Sequence, residues 1–353
     1  MSANTFARFL YSKKNRNLFR VAFSLFVFLI MGVFLMPLVY GFSASLKSKV
    51  QLAAVKVSVL PQTPKTFDYQ GKTYDLVYVP QADGTNRVYA LFEKKRGASL
   101  LLDPASPEAA PVEWQGEWRT LEKVWKTDPQ WGNYPYAFKA IDLGMLFKNT
   151  ATYAILSTIG AVSSALLVAY GFARFQFRGK KVLFIVLVAT IILPSAVTLV
   201  PTYTMFYKLG WVGTWLPLIV PAFFGNAYNV FLLRQFIMGI PREMDEAARI
   251  DGAGPVRTLL QVIVPQAVPA IIAVSLFHFF FCWNDFFGPL IYLAGKPELQ
   301  PITVGLSSFN NMYTMEVHLI QAATMMACIV PFLVFFFAQK FFMQGVVVTG
   351  VDK

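Results

Sequence analysis

Six long apolar stretches punctuate the chain, at positions 19–42, 149–172, 182–206, 214–233, 268–293 and 320–342. As helices rising about 1.5 Å per residue, each is long enough to cross roughly 30 Å of hydrocarbon. The pattern predicts an all-α polytopic membrane protein with six transmembrane helices. Residues 43–148 lose this character: short aromatic and β-branched runs alternate there with glycine and with the turn signal Asp83-Gly84. That spacing predicts a β-meander between about Thr66 and Leu102, within a small β-rich insertion at about 66–130. The tryptophans Trp114, Trp118, Trp125 and Trp131 suit the core of that domain, a belt at the membrane surface or a binding face. Prolines interrupt the third stretch at Pro194 and Pro201 and the fourth at Pro217 and Pro221. At membrane depth each frees a carbonyl, which marks either a plain kink or the wall of a wet cavity.

Composition agrees with the pattern. Of 353 residues, 56% are hydrophobic and only 14% charged, which excludes an ordinary soluble domain. The net charge of +12 does not imply nucleic acid, because the basic residues sit in short segments beside apolar runs, where they orient helices. They cluster at Arg8, Lys13, Lys14, Arg16 and Arg20, at Arg174, Arg178, Lys180 and Lys181, and from Arg234 to Arg257. These are alternate connections. The charge rule therefore puts them, and both tails at 1–18 and 343–353, on the cytoplasmic side of the cell (inner or plasma) membrane. The insertion then falls outside, and its lysines do not oppose this, since domains longer than about 60 residues translocate regardless of charge. The first apolar run follows basic residues as in a signal peptide, but its length and lack of a small-residue cleavage site predict a retained span. Cys282 and Cys328 lie in apolar runs without metal-ligand spacing and read as packing residues.

The loop at 240–265 breaks the apolar pattern. Arg242, Glu243, Asp245, Glu246, Arg249, Asp251 and Arg257 would each cost about 2.5–3.5 kcal/mol at the bilayer centre, so the segment lies in water or against another protein. Pro241 suits a first helical turn, and Glu243 with Asp245 complements the positive end of the helix dipole. Met244, Ala247, Ala248 and Asp251 follow helical spacing and predict a narrow face of small residues. Gly252 ends that helix, and Pro255 begins a second one predicted to stop at Pro265. On pattern alone, two short helices joined at a glycine fit an amphipathic surface hairpin equally well.

Glu246-Ala247-Ala248, then Asp251-Gly252-Ala253, then Ile263-Val264 before Pro265 resemble the EAA loop of ABC-importer permeases. Trp283-Asn284-Asp285-Phe286 resembles the WNEF-type element of that family's fifth span, with aspartate in place of glutamate. Ala169 to Phe175, followed by Phe177-Arg178-Gly179, is similar to the end of its second span, and Gln339-Lys340-Phe341-Phe342 with the tail after it to its C-terminus. The resemblance covers nearly all of the chain outside the insertion and is nearest the carbohydrate subfamily, in particular the smaller, six-span permease of the maltose type. It implies a permease subunit of an ATP-driven, binding-protein-dependent importer for an oligosaccharide such as maltose or maltodextrin, or a related sugar. The implied partners are a cytoplasmic ABC ATPase dimer, a second and different permease, an extracytoplasmic sugar-binding protein and the lipid bilayer. No P-loop sequence is present, so the chain is not expected to be an enzyme or to hold a cofactor; ATP and Mg belong on the partner ATPase. The implied coupling residues are Glu246, Ala247, Ala248, Asp251, Gly252, Ala253 and Pro265. In that role the alanines permit close approach in the ATPase cleft, Glu246 offers an anion to a basic partner, and Gly252 provides a pivot.

A sugar path needs hydrogen-bonding groups and few fixed charges, which singles out Asn226, Asn229, Ser275, His278, Asn284 and Asp285. His278 suits a bond between helices as well as a path, and Asn284 with Asp285 suits packing or gating. By resemblance, the loop after the fifth span faces the binding protein and offers Gly305, Asn310 and Asn311 as contacts. Two readings compete with the importer. An ion-coupled secondary transporter would show internal repeats, none of which is evident, and Asp285 alone supports it thinly. A membrane receptor with a β-rich ectodomain would leave the loop at 240–265 unexplained unless it bound a cytoplasmic effector.

Overall fold

Phenylalanine, leucine and valine on every side of the first apolar stretch leave it no polar face, and it folds as one helix, α1 (Lys13–Ser45), with its apolar side chains largely exposed. A helix that is hydrophobic all round and unburied by its own chain suits lipid. The computed structural model describes residues 13–54, 58–81, 84–95, 97–310 and 316–347. It divides into two units, Met1–Tyr136 with Met315–Met325, and Ala137–Thr314 with Met326–Lys353.

In the first unit, α1 is followed by a single turn, α2 (Lys49–Leu52), capped by Ser48, whose Oγ accepts from the Gln51 amide at 3.2 Å. The strands come next: β1 (Gln62–Pro64), β2 (Thr66–Tyr69), β3 (Lys72–Pro80), β4 (Asn86–Glu93), β5 (Ala98–Leu102), β6 (Val112–Gln115), β7 (Glu122–Lys123) and β8 (Trp125–Thr127). Strands β2 to β6 pair antiparallel in sequence order, β7 adds to β3, and β1 pairs with β8 apart from the others. Gln70 (φ 50) and Gly71 (φ 75) make the two-residue turn between the paired Tyr69 and Lys72, where left-handed backbone matches the twist of the joined strands.

The meander begins at Thr66 as predicted but runs beyond Leu102 into β6 and β7. Alternation is hard to read there because β6 has four residues and β7 two; Glu113 and Gln115 face solvent while Trp114 packs, with Trp118 and Leu121, on Val77, Val79, Tyr89, Leu91 and Leu101. The tryptophans accordingly divide. Trp114 and Trp118 serve that core, whereas Trp131 is exposed and lies 6.1 Å from the Tyr134 ring and 6.4 Å from Phe42 of α1.

The second unit is helical. After α3 (Asn133–Ala140) come α4 (Leu143–Arg174), α5 (Lys180–Ile192), α6 (Ser195–Lys208), α7 (Leu216–Ile219), a 3-10 turn (Val220–Phe224) and α8 (Ala227–Gly239). They are followed by α9 (Glu243–Ile250), α10 (Pro255–Thr258), a π turn (Leu259–Ile263), α11 (Val264–Trp283), α12 (Phe287–Tyr292), α13 (Ile302–Ser307) and α14 (Val317–Val347), the last of which is shared between the units. Helix α4 is the axis of the bundle: its Ala165, Ala169 and Ala173 pack on Val230, Leu233 and Ile237 of α8 and on Val274 of α11. Small side chains let helix backbones approach closely, which is how helices associate where lipid competes for apolar surface.

Among the described residues, five helices are long and apolar enough to cross a membrane, and α5 with α6 makes a sixth only if a pair bent by 100° counts as one span. The bend lies within the predicted stretch 182–206. Leu193 is extended (ψ 116) because the proline after it bars the helical region, and Pro194 has no N–H to continue the turn. The stretch predicted at 214–233 runs from Leu216 to Gly239 and is interrupted at Gly225 (φ 86). The one predicted at 268–293 is displaced further. Its helix starts at Pro255 and ends at Trp283, so Pro265 does not stop the second loop helix as the sequence suggests. The π turn immediately before it explains this, since a widened turn relieves the clash of a proline ring with the carbonyl four residues back.

Candidate functional site

The loop at 240–265 is built from local rules. Helix α9 carries Glu243, Asp245 and Glu246 in its first turn and Arg249 in its last, complementing the dipole at both ends. It ends on paired C-terminal hydrogen bonds: the Gly252 amide donates to the Arg249 carbonyl (3.0 Å) and the Ala253 amide to the Ala248 carbonyl (2.8 Å). That arrangement needs a left-handed residue at Gly252, whose φ is +77. Pro255, with its fixed φ and no N–H to satisfy, opens α10 directly afterwards.

The two alanines of the motif line one groove but differ in depth. Ala248 is buried with Asp245 against the bundle, while Ala247 and Glu246 are exposed. Met244, Ala247, Ala248 and Asp251, the face that helical spacing predicts, come together in one groove, and the spacing does not tell that Ala248 also meets its own protein. What α9 presents outward is a groove of about 440 Å³ whose lining includes Glu243, Met244, Ala247, Ala248, Asp251 and Arg257. Beside it Ile250 is 87% exposed, an apolar side chain with nothing from this chain to cover it.

Behind α9 lies an arrangement that sequence reading missed. Arg174, the last residue of α4, places its Nε 2.9 Å from Asp245 Oδ2, with side chains only 6% and 10% exposed. Its Nη2 donates to the Ile240 carbonyl at 2.9 Å, and Tyr170, one turn earlier, donates its hydroxyl to the Pro255 carbonyl at 3.2 Å. In the sequence Arg174 registers as a topology charge at the end of a family-like stretch, and Asp245 as a loop charge and dipole partner. Their separation in the chain hides the pair.

The predicted path residues fall into two networks and three isolated positions. His278 on α11 bridges two neighbours: Asn229 Nδ2 of α8 is 3.4 Å from Nδ1, and Ser157 Oγ of α4 is 3.0 Å from Nε2. Asp285, just beyond α11, accepts from the Tyr153 hydroxyl (2.9 Å) and the Gly288 amide (3.2 Å), and its carbonyl accepts from Thr303 Oγ1 (2.6 Å). Asn226 is exposed and caps α8 by accepting the Asn229 amide (3.1 Å). Ser275 Oγ and Asn284 Nδ2 donate back to their own helix, at the Ile271 and Phe280 carbonyls.

Ser157 and Tyr153 were not among the predicted path residues. The signal was a polar recurrence, Asn149, Tyr153 and Ser157 at four-residue steps on one side of an apolar stretch.

The loop after α12 is tied to the start of α4. Asn149 Nδ2 donates to the Glu298 and Gln300 carbonyls (2.9 and 3.0 Å), and Thr150 Oγ1 accepts from the Ile302 amide (2.8 Å). Gly305, predicted as a surface contact, faces inward instead: a Cβ there would lie 2.2 Å from Leu146 Cδ1. Glycine is present because α13 and α4 meet at that point. Asn310 is exposed, and Asn311 lies outside the described residues.

Comparison with known proteins bears on what this arrangement serves. Residues 161–348 match the family described as binding-protein-dependent transport system inner membrane component. The chain is 32% identical over 241 residues to the osmoprotective compounds uptake permease protein GgtD of Synechocystis sp., covering 68% of this chain and 80% of that protein. It is 30% identical over 227 residues to the melibiose/raffinose/stachyose import permease protein MelC of Bacillus subtilis, covering 63% and 81%. A chain of a crystal structure of a bacterial ABC transporter involved in the import of the acidic polysaccharide alginate shares the fold, with a TM-score of 0.63 at 20% identity and coverage of 94% of this chain and 99% of that one. Permease subunits of this kind lack ATPase motifs and leave ATP hydrolysis to a separate subunit. The chain therefore belongs to the family of binding-protein-dependent transport system inner membrane components, as a permease subunit of an ABC importer.

Proposed function

We propose that the chain forms half of the translocation path of a sugar importer, most specifically for an oligosaccharide such as maltose or maltodextrin or a related sugar, and that α9 docks in a cleft of a cytoplasmic ATPase. The observation that carries the docking is the exposed groove of α9, with Ala247, Ala248, Glu243 and Asp251 in its lining and Ile250 uncovered nearby. Its small residues, charge and apolar rim suit a protein partner, and family relatives named for sugar import support the cargo class. ATP and Mg are held by the ATPase, none by this chain. ATP-driven closure moves α9, and the helix running from Pro255 to Trp283 carries the displacement into the bundle, exchanging two access states. A second, different permease supplies the other half of the path, and both termini lie in the cytoplasm of a multi-pass inner membrane protein.

Purifying the chain from its native membrane should bring down an ATPase and a second permease, and the assembly in liposomes should take up a sugar from a panel of oligosaccharides with binding protein outside. Co-isolation of no ATPase would refute the reading; an ion gradient driving uptake without ATP would favour a secondary transporter instead.

The β-rich insertion, on this reading, extends the outer surface that receives the binding protein. Because Pro64 and Trp125 are paired across β1 and β8, residues 65–124 can be replaced by a short turn without separating the flanking chain. That deletion should leave the helices assembled while weakening binding-protein affinity and uptake; unchanged affinity and uptake would remove the docking role.

A further inference from the structure

We infer that the Arg174–Asp245 ion pair is a second transmission link between the coupling loop and the bundle, acting through α4 in parallel with the covalent run into α11. The inference rests on the proposed docking of α9 to an ATPase.

Two residues one helical turn apart at the end of α4 hold the loop at three points. Arg174 donates to the Ile240 carbonyl before α9 and stands against Asp245 within it as a buried ion pair that satisfies no hydrogen bond of the carboxylate, and Tyr170 donates to the Pro255 carbonyl after it. Apart from these bonds, α9 buries only Asp245 and Ala248, so little else ties its body to the unit. Among the described ion pairs Asp245 has no cation other than Arg174. Arg242 and Arg249 line the small cavity behind the helix but do not take its place.

Helix α4 is unbroken from Leu143 to Arg174 and carries, further along, side chains that reach both polar networks and the loop after α12. Ser157 meets His278, Tyr153 meets Asp285, and Asn149 with Thr150 holds the segment from Glu298 to Ile302. A displacement of α9 therefore reaches those groups along one rigid helix. The route through α11 must first pass the π turn at Leu259–Ile263, a softer piece of backbone. A charge pair at fixed distance transmits pull and push alike, whereas an apolar contact lets helices slide. Arg174 and Asp245 are positioning residues, touching neither cargo nor nucleotide.

The test uses the full complex in liposomes with its ATPase and binding protein, and it reads transport per ATP hydrolysed as well as ATPase retention. Asp245→Asn, matched in shape, should keep the ATPase bound and hydrolysing near the wild-type rate while transport per ATP falls about tenfold. Asp245→Glu, which keeps the charge, should recover most of it. Should Asp245→Asn not accumulate, Arg174→Met with Asp245→Leu replaces the buried pair by apolar contact, a change such sites tolerate, and should likewise bind ATPase but transport poorly per ATP.

Wild-type transport per ATP in Asp245→Asn, or in the apolar pair, overturns the link while leaving docking intact. Loss of the ATPase from Asp245→Asn would make the pair part of the docking surface instead, which also overturns it. Failure of the unaltered chain to retain an ATPase sinks the docking reading and this one with it.

Discussion

Gly252→Pro abolishes uptake while the chain remains folded in the membrane. Proline cannot adopt the φ of +77 at this position, and its missing N–H removes the 3.0 Å bond to the Arg249 carbonyl. Both changes strike the exit of α9, so the loop helices lose their set angle. The penalty, about 3 kcal/mol, falls within a stability of about 5–15 kcal/mol for a typical domain, and the site is exposed with nothing near the glycine to clash. The bundle should therefore survive. Gly252→Asn, which tolerates left-handed backbone, should retain a substantial part of the uptake. Glu246→Lys reverses an exposed charge with little effect on stability and should also stop uptake, this time by repelling a basic partner. Uptake assays alongside immunoblots of membrane fractions read both outcomes; normal uptake in Gly252→Pro and Glu246→Lys together would dismiss the docking role of α9.

The second large effect is on stability. Gly305→Ala places a methyl 2.2 Å from Leu146 Cδ1 and within 3.1 Å of Cγ, so the whole leucine side chain must move, not only its tip. Leu146 is itself buried with Leu143, Ile302 and Ala327, which leaves it nowhere to go. Overpacking of this kind costs about 1–3 kcal/mol. Leu146→Ala in the same chain should restore much of the loss, a coupling expected of residues in direct contact. Thermal unfolding of the purified chain, single variants against the double, measures it; strictly additive losses would show that the two residues do not meet.

The sequence carried most of what depends on neighbours in the chain. The entry, glycine exit and proline restart of the 240–265 loop follow from residue types at fixed offsets, and so does the start of the meander at Thr66. Contacts across the chain were hidden. Gly305 looked like a loop glycine because its reason for being glycine sits on another helix at Leu146. Asp285 and His278 stood out as polar groups in apolar stretches, but their partners Tyr153 and Ser157 are common residues in a helix. The continuation of the helix through Pro265 was illegible because a π turn has no composition of its own, and the sharp bend at Pro194 because a proline predicts a break without its angle.

The clasp of β1 with β8 bears on how the protein is made. Strands β2 to β6 pair in sequence order, with only the short β7 returning to β3, a largely local topology of the kind that folds quickly, and hairpins close in about 1–10 μs. Translation adds about 5–20 residues per second, so the β-rich region is complete while most of α4 has yet to leave the ribosome. The later helices are thus inserted behind a finished body whose first and last strands are already side by side, and the long excursion between the first two apolar helices imposes on their assembly only the entropy of a short loop.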